Sequence, residues 1–163
     1  MMQRASTIRI NEYLQLEELP DHLQELCRQA MKASQNAYSP YSGFSVGAAL
    51  KLDDGSVFTG NNQENGAYPS GMCAERVALY YAGAAKPGAA PVTLAIAAAR
   101  DGIFQKEPVT PCGACRQVMF ESELRGGNDV EVILYGSGRI LVLKRASDLL
   151  PLPFILDDLD TDE

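Results

Sequence analysis

The spacing of apolar positions changes along this chain, and each change marks an element. Leu23, Leu26, Ala30 and Ala33 recur at helical spacing, so residues from about 19 to 37 are predicted to form an amphipathic helix. It ends before the Ser39-Pro40 turn, because the residue ahead of a proline is pushed out of helical geometry. Phe44 to Leu52 reads as a strand, Asp53-Asp54-Gly55 as a hairpin turn, and Ser56 to Gly60 as the returning strand. Asn61 to Met72 is polar, contains Gly66, Pro69 and Gly71, and is predicted to be a loop. At Cys73 the period turns helical again, with Val77, Ala78, Tyr81 and Ala82 expected to face inward and an end expected near Gly83.

After a small-residue connector over 84–91, Val92 to Ala99 is almost wholly apolar, the pattern of a strand buried on both faces. Cys112 then opens a helix carrying Val118 and Met119, stopped by Gly126-Gly127-Asn128. Val130 to Tyr135 and Arg139 to Lys144 read as strands, and Ala146 to Leu150 as a short last helix. Only Gly136-Ser137-Gly138 join those two strands, too few residues for a parallel crossover, so they are predicted to run antiparallel. The expectation is one α/β domain over residues 1–163, with a five-stranded mixed sheet between layers of helices.

Composition narrows the function classes. Charged residues are 21% and hydrophobic ones 46% of the chain, ordinary for a soluble globular protein. The first nine residues lack the apolar core of a signal peptide, and no run is long enough to span a bilayer, so a cytoplasmic setting is expected. The net charge is −7, with Asp157, Asp158, Asp160, Asp162 and Glu163 in an acidic tail over 157–163 read as a solvated end. With no basic stripe, the electrostatic footprint of a polynucleotide binder is missing. Neither nucleic acid nor membrane is expected as a partner.

The chemistry concentrates in two motifs, Cys73-Ala74-Glu75-Arg76 and Pro111-Cys112-Gly113-Ala114-Cys115. Cys112 and Cys115 are three positions apart at a helix start, which puts both sulfurs on one face. Three thiols and a carboxylate satisfy a catalytic zinc site: three protein ligands, an open fourth position and a proton carrier. Helix N-termini, with free N–H groups and positive dipole ends, stabilise thiolates. Three thiolates on Zn²⁺ leave a net charge of −1, which opposes ionisation of a bound water. Arg76 is placed to offset it as a donor to a ligand sulfur. Arg116, after Cys115, either does the same or lies on the surface. A closed structural zinc site and a redox CxxC are the alternatives. A closed site lacks a fourth ligand, since Cys27 lies in the first helix and His22, the sole histidine, near that helix's start.

Two further segments, Asn36-Ala37-Tyr38-Ser39-Pro40-Tyr41-Ser42-Gly43-Phe44 and Asn62-Gln63-Glu64-Asn65, complete an ordered set of four. With them the chain resembles the small homotetrameric, zinc-dependent cytidine deaminases of pyrimidine salvage, over residues from about 20 to 155. The resemblance implies a three-layer α/β/α cytidine deaminase-like fold, one Zn²⁺ per subunit on Cys73, Cys112 and Cys115, and a nucleoside substrate. It implies Glu75 as the proton shuttle from water to pyrimidine N3 and then to the departing ammonia. It places Asn62 and Glu64 on the ribose 3′-hydroxyl, Phe44 against the base, the Ala74 N–H on the base O2, and Tyr68 among the substrate-binding residues.

Deaminases of transfer RNA and of polynucleotide cytosines are expected to carry a helix where this chain has its last hairpin. A polymer's 3′ oxygen is esterified and cannot donate to Glu64. Both points favour a free nucleoside, cytidine or 2′-deoxycytidine, over a polymer. A deaminase of a nucleoside analogue of the blasticidin type, and a zinc-stabilised binding module, stay open as rivals. Asn61, Gln63 and Ser45 stand where many relatives have a cysteine, an aliphatic residue and a proline. In a homotetramer whose sites are completed by neighbours, Phe154 is the candidate inter-subunit residue. It follows two prolines that hold the chain extended. The alternative is that Phe154 folds back onto its own core.

Overall fold

The computed structural model describes residues 2, 3 and 5–156, so the acidic tail at 157–163 lies outside the described residues. In chain order the elements are β1 (Ile10–Tyr13), α1 (Asp21–Ser34), β2 (Phe44–Leu52), β3 (Val57–Asn61), α2 (Ala74–Ala85), β4 (Pro91–Arg100), β5 (Ile103–Phe104), α3 (Gly113–Gly126), β6 (Glu131–Tyr135) and β7 (Ile140–Leu143). Short 3-10 turns cover Leu16–Glu18, Tyr68–Ser70 and Ala146–Leu149.

The sheet runs β1-β7-β6-β4-β2-β3, with β5 added beside β4. Only β4 and β6 are parallel; β2 is antiparallel to both β3 and β4, and β6 to β7. The last hairpin therefore has the expected sense. The strand count does not: the sheet has seven strands rather than five. β1 pairs at the edge with β7 and is almost entirely exposed, so it carries no apolar alternation to read. β5 is two residues long, and backbone pairing alone defines it.

The period-2 alternation of strands decides which helix packs where. Ala48, Leu50, Leu94, Ile96, Val132 and Leu134 face α2 and α3, in a core with Ala78, Leu79, Ala82 and Met119. Ala49, Ala95, Ala97, Ile133, Ile140 and Val142 face the other way, onto Leu23, Leu26, Cys27 and Ala30 of α1. Three layers follow, α1 on one side of the sheet, α2 and α3 on the other. Burial pushes the Cys27 thiol up to about 12, so it is an inert apolar filler of the α1 layer.

Glycine sets the depth at which helices sit. A Cβ on Gly47 would lie 2.0 Å from the Ala30 carbonyl oxygen, so α1 rests directly on β2. A Cβ on Gly60 would lie 2.5 Å from the Ala74 carbonyl oxygen and 2.6 Å from the Ala78 nitrogen. Gly60 thus fixes how closely the first turn of α2 approaches β3. Gly60→Ala is expected to cost about 1–3 kcal/mol, the usual scale of overpacking against backbone, read as a lower urea midpoint. An unchanged midpoint would mean that α2 shifts freely on the sheet.

The helices depart from the sequence reading in their ends, their inward faces and their type. α2 runs to Ala85 through Gly83, a cost of about 1 kcal/mol that the packed face absorbs. Tyr81 points outward at 59% exposure, edge-on to Phe58 with centroids 5.1 Å apart, while Leu79 takes the inward position. Val77 is only half-buried. The short last helix is of the 3-10 type, over Ala146–Leu149.

Candidate active site and metal centre

Cys73 and Cys112 are the N-cap residues of α2 and α3, both with extended backbone, and neither sulfur is spent on a cap hydrogen bond. Cys115 lies one turn into α3, fully buried. The two helix starts converge, so the three sulfurs lie within 4.8 Å of one another. Cys73 Sγ is 4.0 Å from Cys112 Sγ, which is 3.5 Å from Cys115 Sγ. Three sulfurs each about 2.3 Å from one tetrahedral ion stand about 3.8 Å apart, so the cluster has the dimensions of a zinc site. All four cysteines are free thiols, and Cys27 takes no part in the cluster.

Charge follows geometry. Hydrogen bonding from Cys115 and Arg76 lowers the Cys73 thiol to about 5, against the opposing effect of its burial. The same contact with Cys73, together with burial, holds the Cys115 proton far above the ordinary thiol range. Of the two, Cys73 is the thiol that ionises more readily, and a dication bound there would deprotonate its coordinating thiols. Arg76 Nη2 donates to Cys73 Sγ at 3.8 Å, which places the guanidinium against a sulfur of the cluster. Its Nε is the one buried side-chain nitrogen or oxygen without a hydrogen-bond partner among the described residues. A half-buried guanidinium beside the sulfur cluster fits a group whose net charge stays negative when a dication is bound.

Glu75 is 5% exposed, beside that cluster. Burial raises its carboxyl above the ordinary carboxylate range, and the Cys73 charge adds to the effect, while its own backbone N–H opposes it. A carboxyl that holds its proton more tightly than a solvated carboxylate does is suited both to give and to take a proton. Ala74, fully buried at the first helical position of α2, has one of the N–H groups left unpaired at a helix start.

A cavity of about 530 Å³ opens beside Cys73 and Arg76, lined also by Asn62, Glu64, Tyr41 and Tyr68. Two antiparallel contacts between Gln63 and Met72 fold the loop back, so Asn62 and Glu64 come to lie near Cys73. Glu64 is held from three sides: by the Tyr41 and Ser42 N–H groups at 2.9 and 3.3 Å and the Ser42 hydroxyl at 2.5 Å. The Ser42 hydroxyl and the Tyr41 N–H keep its carboxyl below the usual range, so it stays an ionised acceptor. Both amide atoms of Asn62 have backbone partners: Nδ2 donates to the Phe44 carbonyl at 2.9 Å, and Oδ1 accepts the Val46 N–H at 2.7 Å. Asn62 thus locks Phe44 onto the start of β2. Phe44 lies outside the cavity lining, with the Arg100 guanidinium 5.7 Å from its ring centroid. Tyr68 stands 80% exposed at the rim.

Sequence reasoning missed Ser42, Tyr41 and Arg100. Ser42 lies inside a segment singled out for other reasons, but only the turn at Gly43 (φ +65°) aims it at Glu64. Arg116 belongs to neither expected role. It reaches the Pro111 and Leu149 carbonyls rather than a sulfur, and it is half-buried rather than on the surface. Phe154 does not fold onto its own core; it is 61% exposed.

A family profile described as "Cytidine and deoxycytidylate deaminase zinc-binding region" matches residues 20–126. The chain belongs to this deaminase family. Its span includes all three cysteines of the cluster, Glu75 and Arg76. Among members of the family, the cytidine deaminase of Halalkalibacterium halodurans is 44% identical over 137 residues, covering 84% of this chain and 97% of the relative. The cytidine deaminase of Mycobacterium tuberculosis H37Rv is 40% identical over 133 residues, 80% of this chain and 87% of the relative. The crystal structure of cytidine deaminase from Burkholderia pseudomallei superposes with a TM-score of 0.68 at 41% identity, covering 83% of this chain and all of that one. The fold and the metal-binding region are thus those of cytidine deaminases.

Proposed function

We propose that this protein hydrolyses cytidine and 2′-deoxycytidine to uridine and 2′-deoxyuridine with release of ammonia, as a step in pyrimidine salvage. The observation that carries the reading is the convergence of Cys73, Cys112 and Cys115 with buried Glu75 beside a cavity holding Asn62 and Glu64. Cys73, Cys112 and Cys115 would hold one Zn²⁺ per subunit, whose chemistry when bound would be to acidify a water as nucleophile at neutral pH. Glu75 takes a proton from the attacking water and delivers it to pyrimidine N3. It then moves a second proton to the exocyclic nitrogen, so the C4–N bond breaks as ammonia leaves and C4=O forms. The Ala74 N–H holds the base O2, and Phe44 packs on the ring. Glu64, ionised and fixed by Ser42 and Tyr41, accepts from the ribose 3′-hydroxyl. Tyr68 contributes to substrate binding from the rim.

Homotetrameric assembly with shared sites belongs to the same reading, supported by the exposed tyrosines Tyr80 and Tyr81 on α2 and the exposed Phe154. A cytoplasmic setting is supported by four free cysteines and, among the described residues, by the lack of any helix long and apolar enough to cross a membrane. Ammonia release from cytidine, deoxycytidine and adenosine, with zinc measured per chain, tests the assignment. Turnover of both cytosine nucleosides and not adenosine is expected; no turnover of either overturns it. Truncation after Leu150 is expected to weaken cytidine binding and to loosen the tetramer together, by size-exclusion and KM. A truncated tetramer with unchanged KM would place Phe154 outside the site.

A further inference from the structure

Arg116 and Gln117, consecutive on α3 directly after Cys115, hold the two ends of the C-terminal segment. Arg116 Nε donates to the Pro111 carbonyl at 2.8 Å, Nη1 to the Leu149 carbonyl at 3.1 Å, and Nη2 to the Thr110 hydroxyl at 3.3 Å. The loop ahead of Cys112 and the end of the last 3-10 turn are thereby tied to one guanidinium. Gln117 holds the far end: its Nε2 donates to the Phe154 carbonyl at 2.9 Å, and its Oε1 accepts the Phe154 N–H at 3.0 Å. A carboxamide makes this paired contact because it carries a donor and an acceptor side by side. Between the two anchors, Pro151 and Pro153 fix φ and restrict the chain further.

The consequence is a directed row of side chains. Leu152, Phe154 and Leu156 are 91%, 61% and 64% exposed, while Pro153 and Ile155 between them are half-buried. That is the period-2 alternation of extended chain, with one face toward the protein and one away. A rigidly held main chain that turns three apolar side chains to solvent gains nothing within its own protomer. Nor does Phe154 line its own protomer's cavity, whose wall runs through the Tyr41 and Glu64 segments and Cys73.

We infer that Gln117 is a positioning residue: it clamps the Phe154 main chain so that the ring stands off its own protomer, placed for the nucleoside cavity of a second copy of this chain. The inference rests on the shared-site reading above and adds the residue that sets the ring's position. Preorganisation is the physical gain, since a ring already fixed costs no ordering when nucleoside binds.

The test uses the full-length, metal-loaded protein in a double-mutant cycle. Phe154→Ala and Gln117→Leu are each expected to raise KM for cytidine, Gln117→Leu by about three- to tenfold, the scale of ordering one freed side chain. The kcat and the zinc per chain should stay within about twofold. Gln117→Leu should add nothing once Phe154 is alanine, because both changes then remove the same contact. An undiminished Gln117→Leu effect in the Phe154→Ala background would place Gln117 on another route and overturn the clamp. A Phe154→Ala enzyme with normal KM would instead overturn the shared-site reading itself, so the two failures are distinct. Gln117→Glu keeps the length and one of the two bonds, and should give an intermediate KM even if Gln117→Leu folds poorly. Phe154→Trp gives a second readout, because the chain has no other tryptophan. Its emission should shift on adding uridine with Gln117 present and lose that shift with Gln117→Leu; a shift surviving intact without Gln117 counts against the clamp.

Discussion

Glu75→Gln is expected to keep zinc and bind nucleoside while losing roughly 10²–10⁴ of the turnover rate, the range of general acid–base contributions. Glutamine has the shape of the acid, so the 5%-exposed site refills without a cavity and the sulfurs are undisturbed. What it lacks is a proton that can leave and return. The raised pKa of the Glu75 carboxyl follows from its burial, and a group that holds its proton more tightly than a solvated carboxylate suits two successive transfers. The measurement is single-turnover rate alongside zinc content and uridine affinity. A zinc-loaded Glu75→Gln protein with near-normal turnover removes Glu75 from the chemistry.

Arg76→Gln is expected to fold and to lose about 10–100-fold in activity or in metal retention, the usual loss when the partner of a metal ligand is removed. The argument is charge. Three thiolates on a dication leave one negative charge, and Arg76 is the cation in contact with a ligand, 3.8 Å from Cys73 Sγ. Glutamine offers a hydrogen bond without that charge, so the loss reports compensation rather than contact. Zinc retained against a chelator, measured beside kcat/KM, separates the two effects. Full activity with full metal would show that the N-termini of α2 and α3 suffice alone.

The amino-acid order by itself determines most of the architecture. The helix of α1, the strands of β2, β4, β6 and β7, the antiparallel last hairpin and the two cysteine-led helices all follow from local period and turn chemistry. Within each motif, Cys73 with Glu75 and Arg76 and Cys112 with Cys115, close spacing on a helix start fixes the geometry within one turn, whereas the meeting of Cys73 with Cys112 is tertiary. Tertiary structure decided what depends on partners distant in sequence. β1 and β5 exist by edge pairing, with no pattern of their own. Tyr81 faces outward because the buried stripe of α2 runs through Ala74, Ala78, Leu79 and Ala82, a phase that packing on the sheet selects. The Ser42 hydroxyl reaches Glu64 across a separation of 22 residues, and Asn62 binds backbone atoms of β2 that no local rule points to. Arg116 and Gln117 read as helix residues of α3, and only the return of the C-terminal segment to their side reveals what they hold. Short-range sterics and hydrophobic period are written into neighbouring residues, whereas hydrogen bonds across dozens of residues come into being only once packing has brought their partners together.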